Sequence, residues 1–194
     1  MNNNTNKVKT MTIAALLSAI GIIIPLISPF KIVIEPASFT FASHVPIFIA
    51  MFISPTVAIF TSIVTSIGFY ISISPVVGSR ALSHIIFAFI GAYILKKNNN
   101  LLLKPKHSIP FVLFISIIHA VCEVIVSTLF YFSNQTSANY VYNILMLVGV
   151  GTVIHSTVDF ILASAIWLPL QRAISIPFNA KIKLKPAKTS SYSR

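Results

Sequence analysis

Two short patterns in this chain pair an imidazole with a carboxylate at one spacing: His119-Ala-Val-Cys-Glu123 and His155-Ser-Thr-Val-Asp159. Residues four apart stack on one face of a helix, so each pair can act as a unit. Three chemistries are open to them. They can tie helices together by hydrogen bonds. His119 and Glu123 can form the floor of a ligand pocket. Or His119, Glu123, His155 and Asp159 can gather round a metal ion as part of a membrane-embedded metalloenzyme, although metal sites in bundles more often use a three-residue spacing or an added glutamate. A third pattern sets Arg80 one turn before His84 on the same face. An arginine in an apolar stretch is costly and faces a cavity or a partner, unless it lies near a helix end and reaches water along its own stem.

The elements that carry these residues are membrane spans. Hydrophobic residues make up 56% of the 194 and charged residues only 9%, against roughly 25% in a soluble domain. Three acids could not keep so apolar a chain in water. The net charge of +11 does not point to nucleic acid, because the basic residues cluster at span edges and do not interleave with aromatics. The single cysteine, Cys122, lies in an apolar run, which excludes a disulfide within the chain and a cysteine metal cluster. No Gly-rich phosphate loop, Walker pattern or nucleophile elbow is present, and no cleavable signal is expected.

Hydropathy and breakers divide the chain into a polar start (1–10), a six-helix all-α transmembrane domain (11–172) and a basic tail (173–194). The spans fall at about 11–28, 44–53 (extendable back to Ala37), 56–73, 76–97, 109–132 and 141–169. The fourth, which holds Arg80 and His84, matches a bilayer in length: its twenty residues from Val76 to Leu95 make about 30 Å of helix. The sixth is longer than one crossing needs, so a tilt or kink is expected. The connection 29–43 is not plainly polar, and reads either as a lid over a pocket or as a loop at the membrane interface. The first span carries Ala15-Leu-Leu-Ser-Ala19, with Ala14 and Ser18 on the next register, a stripe of small residues that lets another helix approach closely.

Six spans put both termini on one side. That side collects Lys7, Lys9, Lys96, Lys97, Lys104, Lys106, Arg172, Lys181, Lys183, Lys185, Lys188 and Arg194; the other has Lys31 and Arg80. Twelve against two orients the termini to the cytoplasm. Arg80 then sits on the outer side, against the charge bias, which favours a pocket.

Chain length, span count, the Ala-xxx-Ala stripe and the segments EPASFTFASHVPIFIAMFISP (35–55) and SRALSHIIFAFIGAYILKK (79–97) resemble the substrate-binding S components of energy-coupling factor (ECF) vitamin transporters, most of all the niacin-type members. The resemblance implies a cell-membrane protein, not an enzyme. It implies an outward-facing vitamin pocket capped by the loop after the first span, and docking through Ala15 and Ala19 onto a T subunit. Two ATPase subunits would then drive uptake, so the chain needs no cofactor of its own. For nicotinate, a small aromatic anion, Arg80 is the natural carboxylate clamp and His84 a neighbouring donor. His44, Phe39 and Tyr70 are the expected ring contacts, with His119 and Glu123 as the floor. Glu35 would partner Arg80 if the cargo were neutral. Another vitamin or precursor of pyrimidine, thiazole or pyridoxine type is the competing cargo.

Overall fold

A computed structural model describes residues 3–131 and 137–183. Lys185, Lys188 and Arg194 of the expected basic tail lie outside the described residues. In chain order the elements are α1 (Asn3–Ile27), the hairpin β1 (Lys31–Ile34) and β2 (Ala37–Thr40), α2 (Val45–Ile53), α3 (Pro55–Ser72) and α4 (Pro75–Lys97). A single 3-10 turn (Leu101–Leu103) follows, then α5 (Pro105–Tyr131), a short α6 (Ser137–Tyr140), a π-helical stretch (Val141–Val150) and α7 (Gly151–Ala173).

Among the described residues, five helical runs are long and apolar enough to cross a membrane: Asn4–Ile27, α3, α4, α5 and the continuous run Val141–Ala173. The chain is therefore a multi-pass, mainly helical membrane protein. α1 starts well before its apolar run, because Lys7 and Lys9 are good helix formers and extend it beyond the hydrocarbon. The run over 141–173 absorbs its excess length in the π-helical stretch and contains Pro169 near its end.

The expected second span is a helix at the expected residues, but it is too short to be a crossing by itself. α2 has nine residues, about 13 Å of helix, less than half a bilayer. All nine are buried and none is charged, as befits a helix enclosed on every side. Its place in the molecule explains its length. The carbonyl of Phe52, near its C-terminus, accepts from the backbone N–H of Asn179 and Ala180 (2.9 and 3.0 Å). Those residues belong to the end where Lys181 N–H meets the Asn99 carbonyl (3.1 Å) and Lys9 Nζ meets Ser175 Oγ (3.1 Å). This basic end thus gathers both described ends of the chain and the α4–α5 connection. α2 starts inside the bundle at His44, and the β1–β2 hairpin accompanies it toward the opposite end.

Local chemistry sets the corners. Ser54 and Ser74 each accept a hydrogen bond from the N–H three residues on (3.2 Å), with Pro55 and Pro75 at the first helical position. α3 and α4 make the most extensive helix contact in the molecule. A Cβ on Gly78 would come within 2.8 Å of the Tyr70 backbone, so the absence of a side chain there permits the approach. Beneath His44 runs an aromatic core: Phe48 meets Phe87 (5.6 Å) and Phe160 (5.2 Å), and Phe52 meets Phe160 (5.3 Å) and Trp167 (5.8 Å). Residues 174–182 fold back over this core at the basic end. Ile176 and Ala180 are buried, Trp167 Nε1 donates to the Ala180 carbonyl (2.9 Å), and Gln171 holds the backbone of Ile182 through both ends of its amide (2.6 and 3.1 Å).

Candidate ligand-binding site

The hairpin and α1, α2, α3, α4, α5 and α7 line a cavity of about 90 Å³. That is well below the roughly 300–1,000 Å³ of sites for drug-sized ligands, so only a small molecule fits. Lys31, Ser38, Phe39 and Thr40 of the hairpin line one side, and Ser43, His44 and Ile47 lie beside them. Gly21, Thr65, Phe69, Val77, Arg80 and His84 contribute from α1, α3 and α4, and His119, Glu123, Thr152 and His155 from α5 and α7.

Arg80 is buried in the cavity wall and does not reach out to the headgroups. Its Nε donates to Glu123 Oε2, and its Nη1 donates to the Pro36 carbonyl at the hairpin turn (3.1 Å). A guanidinium has five N–H donors, so others stay free for a ligand. Glu123 also meets His84 Nε2 (3.0 Å) and His119 Nε2 (3.5 Å). One carboxylate therefore joins α4 to α5 and compensates the arginine, whose charge partner is Glu123 and not Glu35.

His44 is the hub of the site. Its ring lies 4.9 Å from that of His84, 4.7 Å from His119 and 4.9 Å from His155, and His84 and His119 are 4.7 Å apart. Four of the chain's five histidines thus form one cluster. Asp159 fixes it from below. Its Oδ1 accepts from the Ala42 N–H (2.9 Å), and its Oδ2 accepts from the His44 N–H (2.9 Å) and lies 3.2 Å from His44 Nδ1. Ala42 takes a left-handed turn (φ 66°), a strained conformation for a residue with a side chain, and the carboxylate holds that turn from both sides. His155 Nε2 contacts Ser43 Oγ (3.2 Å) and Asp159 Oδ2 (3.4 Å).

The structure brings together Arg80, His84, His44, Phe39, His119 and Glu123 of the residues singled out from sequence. Tyr70 is not among them: it is 57% exposed on the outer face of α3, while its neighbour Phe69 lines the cavity. One residue along a helix turns a side chain by about 100°, so the two cannot share a face. Glu35 is exposed in the hairpin turn, which points Pro36 inward instead. Ala15 and Ala19 are exposed on α1, and Ala14 and Ser18 face the bundle. His119/Glu123 and His155/Asp159 do not close on each other. His44 stands between them, and the ligand-type atoms that approach within 4.8 Å of one another form the groups His44, His84, His119 and His44, His155, Asp159. Sequence reasoning assigned no pocket role to Lys31, Ser43, Thr152 or His155. Only His155 carried a signal, its four-residue spacing to Asp159.

A curated relative, the niacin transporter NiaX of Lactococcus lactis subsp. cremoris (strain MG1363), is 39% identical over 181 residues, covering 91% of this chain and 81% of the relative. The chain belongs to the niacin-type S components of ECF vitamin transporters. No family model matches the sequence, and no solved structure matches it. Membership in this S-component family assigns the chain to membrane transport. It fits a helical membrane protein several of whose buried polar side chains converge on one small cavity.

Proposed function

We propose that this S component binds nicotinate in the cavity beneath the β1–β2 hairpin, as the membrane-embedded substrate subunit of an ATP-driven uptake system. The reading rests on a relative named for niacin transport, together with a cavity of small-molecule size whose wall holds a buried arginine and four histidines. Free N–H donors of Arg80 take the carboxylate, with His84 and His44 as neighbouring donors. The Phe39 ring, held 5.4 Å from that of His155, stacks near the pyridine. The hairpin is the lid. Ligand enters from its end, and the basic end faces the cytoplasm with both termini. The hairpin and α2 together make the sixth crossing of the cell membrane.

The protein has no enzymatic role and no nucleotide site of its own. Ala15 and Ala19, exposed on α1, dock on a T subunit, and two cytoplasmic ATPases supply the energy. The deciding experiment is calorimetric titration of the purified protein with nicotinate and nicotinamide. Nicotinate tighter by at least about tenfold is expected from a charge-assisted contact. Equal affinity would remove the carboxylate from the recognition, and failure of both to bind would remove niacin as the cargo.

A further inference from the structure

The charges around the histidine cluster do not balance for an anionic cargo. Arg80 and Glu123 cancel. Asp159 is fully buried, and its ion-pair partners among the described residues are His44 and His155. With neutral imidazoles the site carries one negative charge before the ligand arrives. Lys31, the other cation on the cavity lining, is exposed and screened by water. A second negative charge beside a buried, uncompensated carboxylate is costly.

The imidazoles themselves are arranged to hold a cation. One ring nitrogen from each of His44, His84 and His119 lies within 4.8 Å of the other two. Each ring is also gripped from outside the triangle. Asp159 holds His44 Nδ1 (3.2 Å), Glu123 holds His84 Nε2 (3.0 Å) and Ser156 Oγ holds His119 Nδ1 (3.2 Å). Carboxylate partners fix the tautomer and orientation of metal-binding histidines and leave the second nitrogen with a lone pair, and the Ser156 hydroxyl does the same when it accepts from His119 Nδ1–H. Nε2 of His119, fully buried, makes no hydrogen bond; its nearest polar neighbour is the Glu123 carboxylate, at 3.5 Å. The Asp159 carboxylate on His44 is the usual support of a zinc-type ligand.

We propose that His44, His84 and His119 bind a divalent first-row transition ion of the zinc class. Three imidazole ligands leave a position open on such an ion. Nitrogens up to 4.8 Å apart would draw in to about 3.3 Å around it. Resting on the nicotinate reading, the open position takes the ligand's ring nitrogen while Arg80 takes its carboxylate. The charges then close: one ion of +2 against Asp159 and nicotinate.

The test uses the full-length, untagged protein in detergent, stripped by a chelator. One Co²⁺ per chain should bind and give the strong visible bands of a four- or five-coordinate imidazole site. Nicotinate should shift those bands, whereas benzoate, which lacks the ring nitrogen, should not. Zn²⁺ should raise nicotinate affinity by about tenfold or more over the stripped protein. His84→Gln should lose the bands; His107→Gln, at the exposed fifth histidine, should keep them. Stripped wild-type protein that takes up no Co²⁺ and binds nicotinate as well as before overturns the metal site and leaves the nicotinate reading intact. Cobalt bands with no nicotinate affinity in either form keep the metal site and sink the nicotinate reading. Bands that benzoate shifts equally overturn the ring-nitrogen contact.

Discussion

Arg80 spends one donor on Glu123 and one on the hairpin carbonyl of Pro36, so its side chain is fixed before any ligand arrives. That preorganisation lowers the ordering cost of binding, which is where much affinity is lost. Arg80→Lys keeps a charge near Glu123 but gives up the planar fork and the reach to Pro36. Nicotinate should bind about 30-fold more weakly to it, or roughly 2 kcal/mol, with nicotinamide affected much less; paired titrations measure both. Arg80→Ala should also lower thermal stability, because it leaves the buried Glu123 carboxylate with only the imidazoles of His84 and His119 against it. Asp159→Asn tests the other carboxylate. An amide can accept the Ala42 N–H through its oxygen, but its NH2 faces the His44 N–H, and the left-handed turn at Ala42 loses one of its two clamps. Stability should fall by about 1–3 kcal/mol in denaturant titration, and nicotinate affinity should fall with it.

At the scale of elements, the hairpin is held by its turn and by one ring. A Cβ on Gly151 would stand 2.6 Å from the tip of Phe39, so the ring packs against bare α7 backbone. Gly151→Ala should push Phe39 and β2 outward with little change in fold. Nicotinate should then dissociate several-fold faster in stopped-flow chase experiments at near-unchanged association, the signature of a weakened cover. The long helices were legible in the sequence because twenty apolar residues between breakers admit few other structures in lipid. The hairpin was less so. Lys31-Ile-Val-Ile34 is β-branched and strand-prone, and Glu35-Pro36 offers a two-residue turn, yet the prolines and charges around it read as a loop. α2 was legible to within a residue, but not that it stops short of a full crossing, because hydropathy marks burial and not depth, and its companion toward the opposite end is a hairpin. The π-helical stretch left no periodic mark. Among site residues, the pairs spaced by four were visible because a helix brings them together locally. His44 as their common neighbour was not, since its contacts to His84, His119 and His155 arise only when separate helices pack.

Across the whole molecule, polar and small residues are sorted by direction. His44, His84, His119, His155, Glu123 and Arg80 face one interior cavity, while α1 turns Ala14 and Ser18 inward and leaves Ala15 and Ala19 outward among exposed Met11, Leu16 and Ile20. A stripe of small residues on an outward surface permits close approach by another helix, which is the basis of the docking proposed for Ala15 and Ala19. Ala15→Leu combined with Ala19→Leu would fill that shallow stripe on the outer face of α1, across the helix from the inward Ala14 and Ser18. The double variant should fold and bind nicotinate within about twofold of the parent, since it touches no cavity residue. Co-purification with the T subunit and ATPases should fall, and uptake by cells dependent on exogenous niacin should fall with it. Uptake unchanged in the double variant would move the docking face off this stripe. Lost binding in detergent would mean instead that α1 transmits strain through Gly21, which lines the cavity two residues beyond Ala19.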